Sequence, residues 1–342
     1  MTTLTELRLR NQLLLQPPFD APQQVVEWMG AVQAQDYRMA KWAVGCRTAS
    51  TDATQIEAAL NRGDILRTHL LRPTWHFVSS KDLRWMLSLT ADRIRAANDS
   101  YARGTDAALD SKSIHRYMNL LQKTLEGNKH RTKEEIGEAL NQRGIPLSQY
   151  ALRHLLMRAE TDGIVCSGAD KKGTTTYALL DERAPRGEEP SREEALARLV
   201  RIYFRTATEA RRAVASIAEE LTTEHFGDRE FFVFRNAAAA APCDTTHLLP
   251  AYDQYLIGYK DRSDVLAKEH TSKAFNSHGI FQPVILCDGQ IVGNWKRTAG
   301  RGNVTIQTTL WVDTVPEALD AAIARYRSFI GGTKSENSPE AL

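Results

Sequence analysis

Three observations predict an α+β fold in which tandem winged-helix units precede a small β-rich region. Residues 111–180 run helix, helix, turn, helix and then two short strands. Residues 5–78 follow the same order less cleanly. From about residue 245 the texture changes to alternating strands around an Asp288-Gly289 pair, a strong hairpin signal. The expected division is a first winged-helix unit over 1–104 and a second over 105–181. A third, over 191–244, is one helix short, and a β-rich C-terminal region with a closing helix fills 245–332.

In the first unit, Leu4, Leu7, Leu9, Leu13 and Leu14 give a helical pattern over 5–16, ended by Pro17-Pro18. Val25, Val26, Trp28, Met29 and Val32 make an apolar face for a second helix over 22–35. A third is expected over 54–71, opened by Thr54 and carrying Ile56, Leu60, Ile65 and Leu66. Residues 73–78 then read as a strand, and 82–103 as helix. In the second unit, Thr132 and Glu135 have capping-box spacing at the start of the middle helix. Residues 148–162 form the third helix, and Lys171-Lys172-Gly173 tips a two-stranded wing. A third helix of this kind fits a major groove, and Arg153, His154 and Arg158 on it favour DNA. The bland alternative is a winged helix used for protein contact.

Residues 182–191 read as a linker, and 191–205 and 208–224 as helices. Phe231-Phe232-Val233-Phe234 reads as a strand. Strands over 281–286 and 291–295, a further one over 304–312 and a helix over 315–330 complete the pattern.

The bulk numbers exclude several classes. The chain has 342 residues, enough for two or three units that each bury a core. Its 44 basic and 42 acidic residues sum to +2, a near-neutral total that can still contain a basic face. The start has neither a long apolar core nor a small-residue cleavage site, which argues against a signal peptide. No stretch reaches the roughly 18 apolar residues of a membrane span. Cys46, Cys166, Cys243 and Cys287 lie far apart and read as reduced thiols. A cytoplasmic protein with no membrane partner is expected, and nothing in the sequence demands more than a monomer.

Standard catalytic machinery is missing from the sequence. No glycine loop suits a phosphate, no His or Cys spacing suits a metal, and no serine elbow occurs. No cofactor is expected. The local feature that stands out is Gln33-Ala34-Gln35, followed by Asp36-Tyr37. Residues two apart on a helix point to different sides, so the two amides converge only where the helix ends. The bland reading is an exposed helix terminus.

Three separated motifs carry a family resemblance. They are residues 31–36 (Ala-Val-Gln-Ala-Gln-Asp), residues 67–78 (Arg-Thr-His-Leu-Leu-Arg-Pro-Thr-Trp-His-Phe-Val) and residues 247–253 (His-Leu-Leu-Pro-Ala-Tyr-Asp). Together with residues 254–262 and 293–297, they resemble the AlkZ-like DNA glycosylases, over roughly residues 5–330. The resemblance implies a concave body of tandem winged helices that binds double-stranded DNA and excises bulky or crosslinking alkylated bases. Its signature of glutamine, any residue, then glutamine or aspartate carries onto Gln33 and Gln35 as the catalytic pair.

Such mild residues suit a purine alkylated at N7, which is already cationic, so the leaving group needs little protonation. The protein has only to place water beside an oxocarbenium-like sugar and steady its charge. A carboxylate in the second position would be the stronger base, so Gln35 implies dependence on an activated lesion. Asp36 is a tempting base whose bland role is hydrogen bonding at a helix end. Lys41 is the nearest lysine and not an obvious imine former, which implies a monofunctional enzyme.

Candidate DNA contacts are Arg72, His76, Arg153, Arg158, Lys171, Lys172, Lys296 and Arg297. His76 is either a phosphate contact or a satisfied half-buried imidazole. Tyr252, Asp253 and Tyr255 are either a site wall or core packing. Lys296 and Arg297 are either phosphate contacts or a solvated strand end. One departure stands out: the family carries a Trp-rich helix where Phe204-Arg205-Thr206 here runs almost directly into Thr208. Two other classes remain open, a non-catalytic DNA-binding regulator and a protein-binding scaffold.

Overall fold

Leucines on one face draw the first helix, α1 (Leu4–Asn11), inward, with Leu7 and Leu9 buried. The helix stops short of the proline pair because Leu13 turns into left-handed backbone at φ 57°. Pro22 opens α2 (Pro22–Met29), where its missing N–H costs no helical bond. The helix ends at Gly30, whose φ of 74° suits a residue without a Cβ. The helix expected over 22–35 therefore ends at Met29, and the chain continues extended into β1 (Val32–Gln33). A helix the sequence reading did not anticipate, α3 (Tyr37–Gly45), follows. Its N-cap is Asp36, whose carboxylate accepts the Met39 N–H at 2.9 Å.

The described residues of this computed structural model are 4–15, 17–50, 52–106, 109–184, 186–206, 214–226, 229–234, 245–299 and 304–331. They form two compact units. Of these residues, one unit combines those up to 56 with those from 197 to 331, and the other holds those from 57 to 196, the breaks falling within α4 (Ala53–Arg62) and α10 (Arg192–Thr206). Gly63, at φ 91°, stops α4, and the expected helix over 54–71 gives way to a strand.

In the 57–196 unit, β2 (Ile65–His69) pairs antiparallel with β3 (Trp75–Ser79), in register from Ile65↔Ser79 to His69↔Trp75. The long α5 (Leu83–Ala102) follows. Then come α6 (Ser111–Leu125), α7 (Lys133–Asn141) and α8 (Gln149–Thr161), capped by Asp110, Thr132 and Ser148. The capping box of Thr132 and Glu135 forms as its spacing predicts. The short strands β4 (Val165–Ser167) and β5 (Tyr177–Leu179) pair antiparallel. At the tip, Lys172 and Gly173 take φ 51° and 82°, the two left-handed residues of a tight hairpin turn. Leu121, Leu125, Ile136, Leu140, Leu155 and Val165 are nearly inaccessible and form the core under this hairpin. After α9 (Leu180–Arg183) the chain leaves the unit through α10 (Arg192–Thr206).

Beyond α10, residues 207–213 lie outside the described residues, and with them the first third of the helix expected over 208–224. Residues 214–220 are a 3-10 turn, and β6 (Leu221–Phe226) then pairs antiparallel with β7 (Arg229–Phe234). The rest of this unit is a four-stranded antiparallel sheet in the order β11-β10-β9-β8. Its strands are β8 (Thr246–Leu249), β9 (Val284–Cys287), β10 (Gln290–Ala299) and β11 (Val304–Leu310). Short helices α11 (Gln254–Ile257) and α12 (Thr271–Ala274) lie between β8 and β9. Asp288 and Gly289, at φ 46° and 82°, make the expected turn between β9 and β10.

The closing helix α13 (Leu319–Gly331) anchors α3 to this sheet. Its Tyr326 ring lies edge-on to both Trp42 of α3, at 5.0 Å, and Trp295 of β10, at 4.8 Å. Each indole N–H finds a carbonyl on β8: Trp42 donates to Leu248 at 2.6 Å and Trp295 to Leu249 at 2.7 Å. Buried aromatic surface with its polar tip satisfied is what fixes α3 here.

Candidate active site

The backbone conformation, rather than a helix end, decides how the two glutamines sit. Across 32–35 burial alternates: Val32 and Ala34 are buried, Gln33 is half-buried and Gln35 exposed. Strand β1 ends at Gln33, and Gln35 lies in the bend that leads into α3, so the two glutamines flank the buried Ala34 on a turning backbone. Sequence reasoning looked for convergence at the end of a helix, and the helix ends earlier, at Gly30. A Cβ on Gly30 would meet the Ile202 Cγ2 of α10 at 2.4 Å. Arg205, one turn on, donates to the carbonyls of Glu27 and Trp28 and lies over the Trp28 ring at 4.7 Å. Thus α10 holds the end of α2 from which the glutamine segment emerges.

Asp36 sits next in the chain, exposed and engaged as the cap of α3. The Tyr326 phenol lies within electrostatic reach of Arg297, Asp36 and Arg38. Burial first, then Asp36, pushes the Tyr326 phenol up to about 12, while Arg297 and Arg38 pull the other way. Tyr252 also lies within electrostatic reach: burial and then Asp36 raise its phenol. Both phenols are therefore neutral at physiological pH. Lys41 is buried in α3 with its ammonium 5.2 Å from the Tyr37 ring centroid.

The motif over 247–253 divides between support and surface. Asp253 is buried and receives both terminal nitrogens of Arg47, at 2.9 and 2.7 Å, while also capping α11 at the Tyr255 N–H. Burial opposes the charge on Arg47, but Asp253 outweighs it and the guanidinium is held more firmly protonated than usual. Tyr255 is buried, and its hydroxyl donates to Gly289 O at 2.9 Å. His247 is buried, its pKa pushed to about 4 by burial and then by Arg325. Tyr252 alone of the aromatic residues here is half-exposed, and it takes φ 57°.

In the same unit, Lys296 is exposed and Arg297 half-buried on β10, opposite Gln307 and Ile306 of β11. Lys296, Gln282, Asn294, Trp295, Gln307 and Thr309 line a cleft of about 700 Å³, within the size range of ligand-binding sites.

The other candidate contacts lie in the 57–196 unit. Arg153 on α8 and Lys172 at the wing tip are exposed, as is Arg72. Arg158 is half-buried and bonded to Asp162 at 3.0 Å and Asp99 at 3.5 Å. Lys171 is exposed but bonded to Glu135 at 2.7 Å. His76 is buried, and its Nδ1–H donates to Thr74 O at 2.9 Å. Burial lowers its pKa to about 3, so the ring is neutral. That nitrogen is committed to the backbone. Beside it, His69 and Glu160 form a buried pair that ties β2 to α8.

Sequence reasoning singled out Gln33, Gln35 and Arg297 but not Arg38 or Tyr326, which have no motif to mark them. Cys46 and Cys166 are buried free thiols and Cys287 is half-buried, while Cys243 lies outside the described residues. Among the described residues no three His, Cys, Asp or Glu side chains gather as a metal site requires. Among them, too, no helix is long and apolar enough to cross a membrane.

Comparison with known proteins adds three findings. The family model described as "DNA glycosylase AlkZ-like" matches residues 26–329. An interstrand DNA cross-link repair glycosylase from Streptomyces sahachiroi is 24% identical over 319 residues, covering 84% of this chain and 85% of that protein. The solved structure of Streptomyces sahachiroi DNA glycosylase AlkZ superposes with a TM-score of 0.78 at 21% identity, over 97% of this chain and 98% of that one. At that identity the superposition speaks to the fold.

Proposed function

The chain belongs to the AlkZ-like DNA glycosylase family, and from this premise we propose that it is a monofunctional glycosylase that excises bulky or crosslinking N7-alkylated purines from double-stranded DNA. The observation that supports the reading is the strand end and bend over Gln33-Ala34-Gln35, which keep Ala34 buried while Gln33 is half-buried and Gln35 exposed. The curated relative's cross-link repair activity supports the choice of lesion.

In this mechanism the N-glycosidic bond breaks and its electron pair goes to the purine, which leaves as a neutral alkylated base. One amide oxygen orients a water molecule toward the sugar carbon, and an amide NH₂ holds the lesion or its phosphate. The water oxygen bonds to that carbon and its proton passes to solvent, leaving an abasic site. Preorganised dipoles stabilise the oxocarbenium-like sugar. Asp36 is committed to capping α3 and serves as an electrostatic neighbour. Lys41, buried against Tyr37, is not positioned as an imine-forming amine, which supports simple hydrolysis.

We also propose winged-helix organisation over 1–104, 105–181 and 191–244, with a β-rich region over 245–332. The middle unit has the firmest support, from its three capped helices and two-residue wing tip. Arg153 would enter the groove with α8, and Arg72, Lys172, Lys296 and Arg297 would meet phosphates. Arg158, Lys171 and the neutral His76 would contribute by positioning these groups. A monomer in the cytoplasm is the expected working form.

The test is single-turnover base release from a duplex containing an N7-alkylguanine. Gln33→Ala and Gln35→Ala should each abolish abasic-site formation while leaving DNA binding in place. Unchanged rates in both variants would overturn the assignment. Sequence-selective binding to intact duplex without any abasic product would point to a regulator instead.

A further inference from the structure

Tyr252 is a bulky residue in a conformation that bulky residues rarely adopt. Its φ of 57° lies in the left-handed region, which for an L side chain is strained and concentrates at functional positions. The strain persists because the next residue is immovable: Asp253 is clamped by the buried Arg47 guanidinium and caps α11. The ring that this turn presents is half-exposed. On one side it is backed by Phe281, centroids 6.3 Å apart, and Phe281 in turn stacks on Phe275 at 4.8 Å. The next residue, Gln282, lines the cleft that also contains Lys296. Asp36, the neighbour of Gln35, is close enough to oppose ionisation of the Tyr252 hydroxyl.

We propose that Tyr252 is a substrate-contacting residue whose ring face receives the positively charged alkylated base and selects it over a neutral one. An electron-rich ring backed by a second aromatic, with a carboxylate nearby, is complementary to a delocalised cation. The attraction is greatest when the site is stripped of water. This deepens the glycosylase reading and rests on it. The ring would discriminate at binding, whereas Gln33 and Gln35 act on bond cleavage.

The experiment compares affinities for two duplexes that cannot be cut. One carries 2′-fluoro-2′-deoxy-7-methylguanosine, whose base is cationic, and the other carries 2′-fluoro-2′-deoxyguanosine. The wild-type chain should prefer the cationic duplex. Tyr252→Phe and Tyr252→Trp should keep that preference, whereas Tyr252→Leu should reduce it about tenfold. Tyr252→Met gives a second non-aromatic variant if the leucine chain does not fold. The proposal is overturned if the non-aromatic variants retain the wild-type ratio. It is equally overturned if Tyr252→Phe falls as far as Tyr252→Leu, or if the wild-type chain shows no preference. Because no bond is broken, the result is independent of glycosylase activity. A chain that discriminates here yet releases no base would refute the proposed function and leave this inference standing.

Discussion

Arg47 and Asp253, 206 residues apart in sequence, meet in a bidentate ion pair at 2.9 and 2.7 Å with both side chains buried. Arg47 also donates from Nε to the Gln12 carbonyl and from Nη1 to the Ala43 carbonyl, each at 2.9 Å. The pair links the end of α3 to the turn that presents Tyr252. Breaking it by Asp253→Ala or Arg47→Met leaves one buried charge alone, which costs about 3–5 kcal/mol. Each variant should melt at a markedly lower temperature. A change of less than a degree in either would show that the pair carries no such weight.

Gly30 should resist replacement for two separable reasons. Gly30→Ala places a Cβ at positive φ and within 2.4 Å of the branched Cγ2 of Ile202. Left-handed strain and overpacking together cost about 3 kcal/mol. Ile202→Leu in the same chain removes the branch at Cβ and should recover only the steric share. Denaturant unfolding of the two single variants and the double variant measures both parts. Additive losses would refute the contact.

Two buried histidines should make the protein acid-sensitive. His76 and His247 have pKa values pushed to about 3 and about 4, chiefly by burial. Above the unfolded value of roughly 6.5 both states are neutral and the histidines add no slope. Below it the unfolded chain binds protons that the folded chain refuses, so stability falls as pH drops toward the folded pKa. Between pH 7 and pH 5 the two should cost on the order of 4 kcal/mol. Unfolding free energies of a His76→Asn/His247→Asn chain should lose most of this slope. An unchanged slope would assign the acid sensitivity elsewhere.

Four basic residues of the second unit should differ in their part in DNA binding. Arg153 and Lys172 are exposed, whereas Arg158 and Lys171 are bonded to carboxylates. Alanine at Arg153 or Lys172 should reduce the slope of log affinity against log salt by about 1. Alanine at Arg158 or Lys171 should reduce it by much less, since pairing with Asp162 or Glu135 already compensates the charge. Equal effects at all four positions would refute this division.

Much of the second unit was legible in the sequence because its signals are local. Thr132 and Glu135 announce a helix start through spacing alone, and Asp288-Gly289 announces a hairpin through backbone preference. The first unit was less legible. Val32 continues the apolar pattern of α2, which hid the break at Gly30, where Ile202 arrives from far along the chain. Ile65 and Leu66 likewise extend the pattern of α4 although Gly63 has ended it. Asp36 was readable as a helix-end residue, but with the preceding helix drawn up to Gln35 it was assigned to that helix's end and not to the start of α3. At the candidate site the glutamines carry a motif, but Tyr326 comes within electrostatic reach of Asp36 only through tertiary packing.

The alternating burial across 32–35 has an implication for how this segment can change in evolution. Ala34 is buried between two more accessible glutamines, so position 34 can be exchanged only for another small residue, whereas the exposed position 35 can accept a carboxylate. A single-residue insertion between Gly30 and Gln33 is another matter, because it would turn the two-residue strand over and move Val32 out of its buried position. Relatives that keep this chemistry should therefore vary here by substitution and hold the length of the segment fixed.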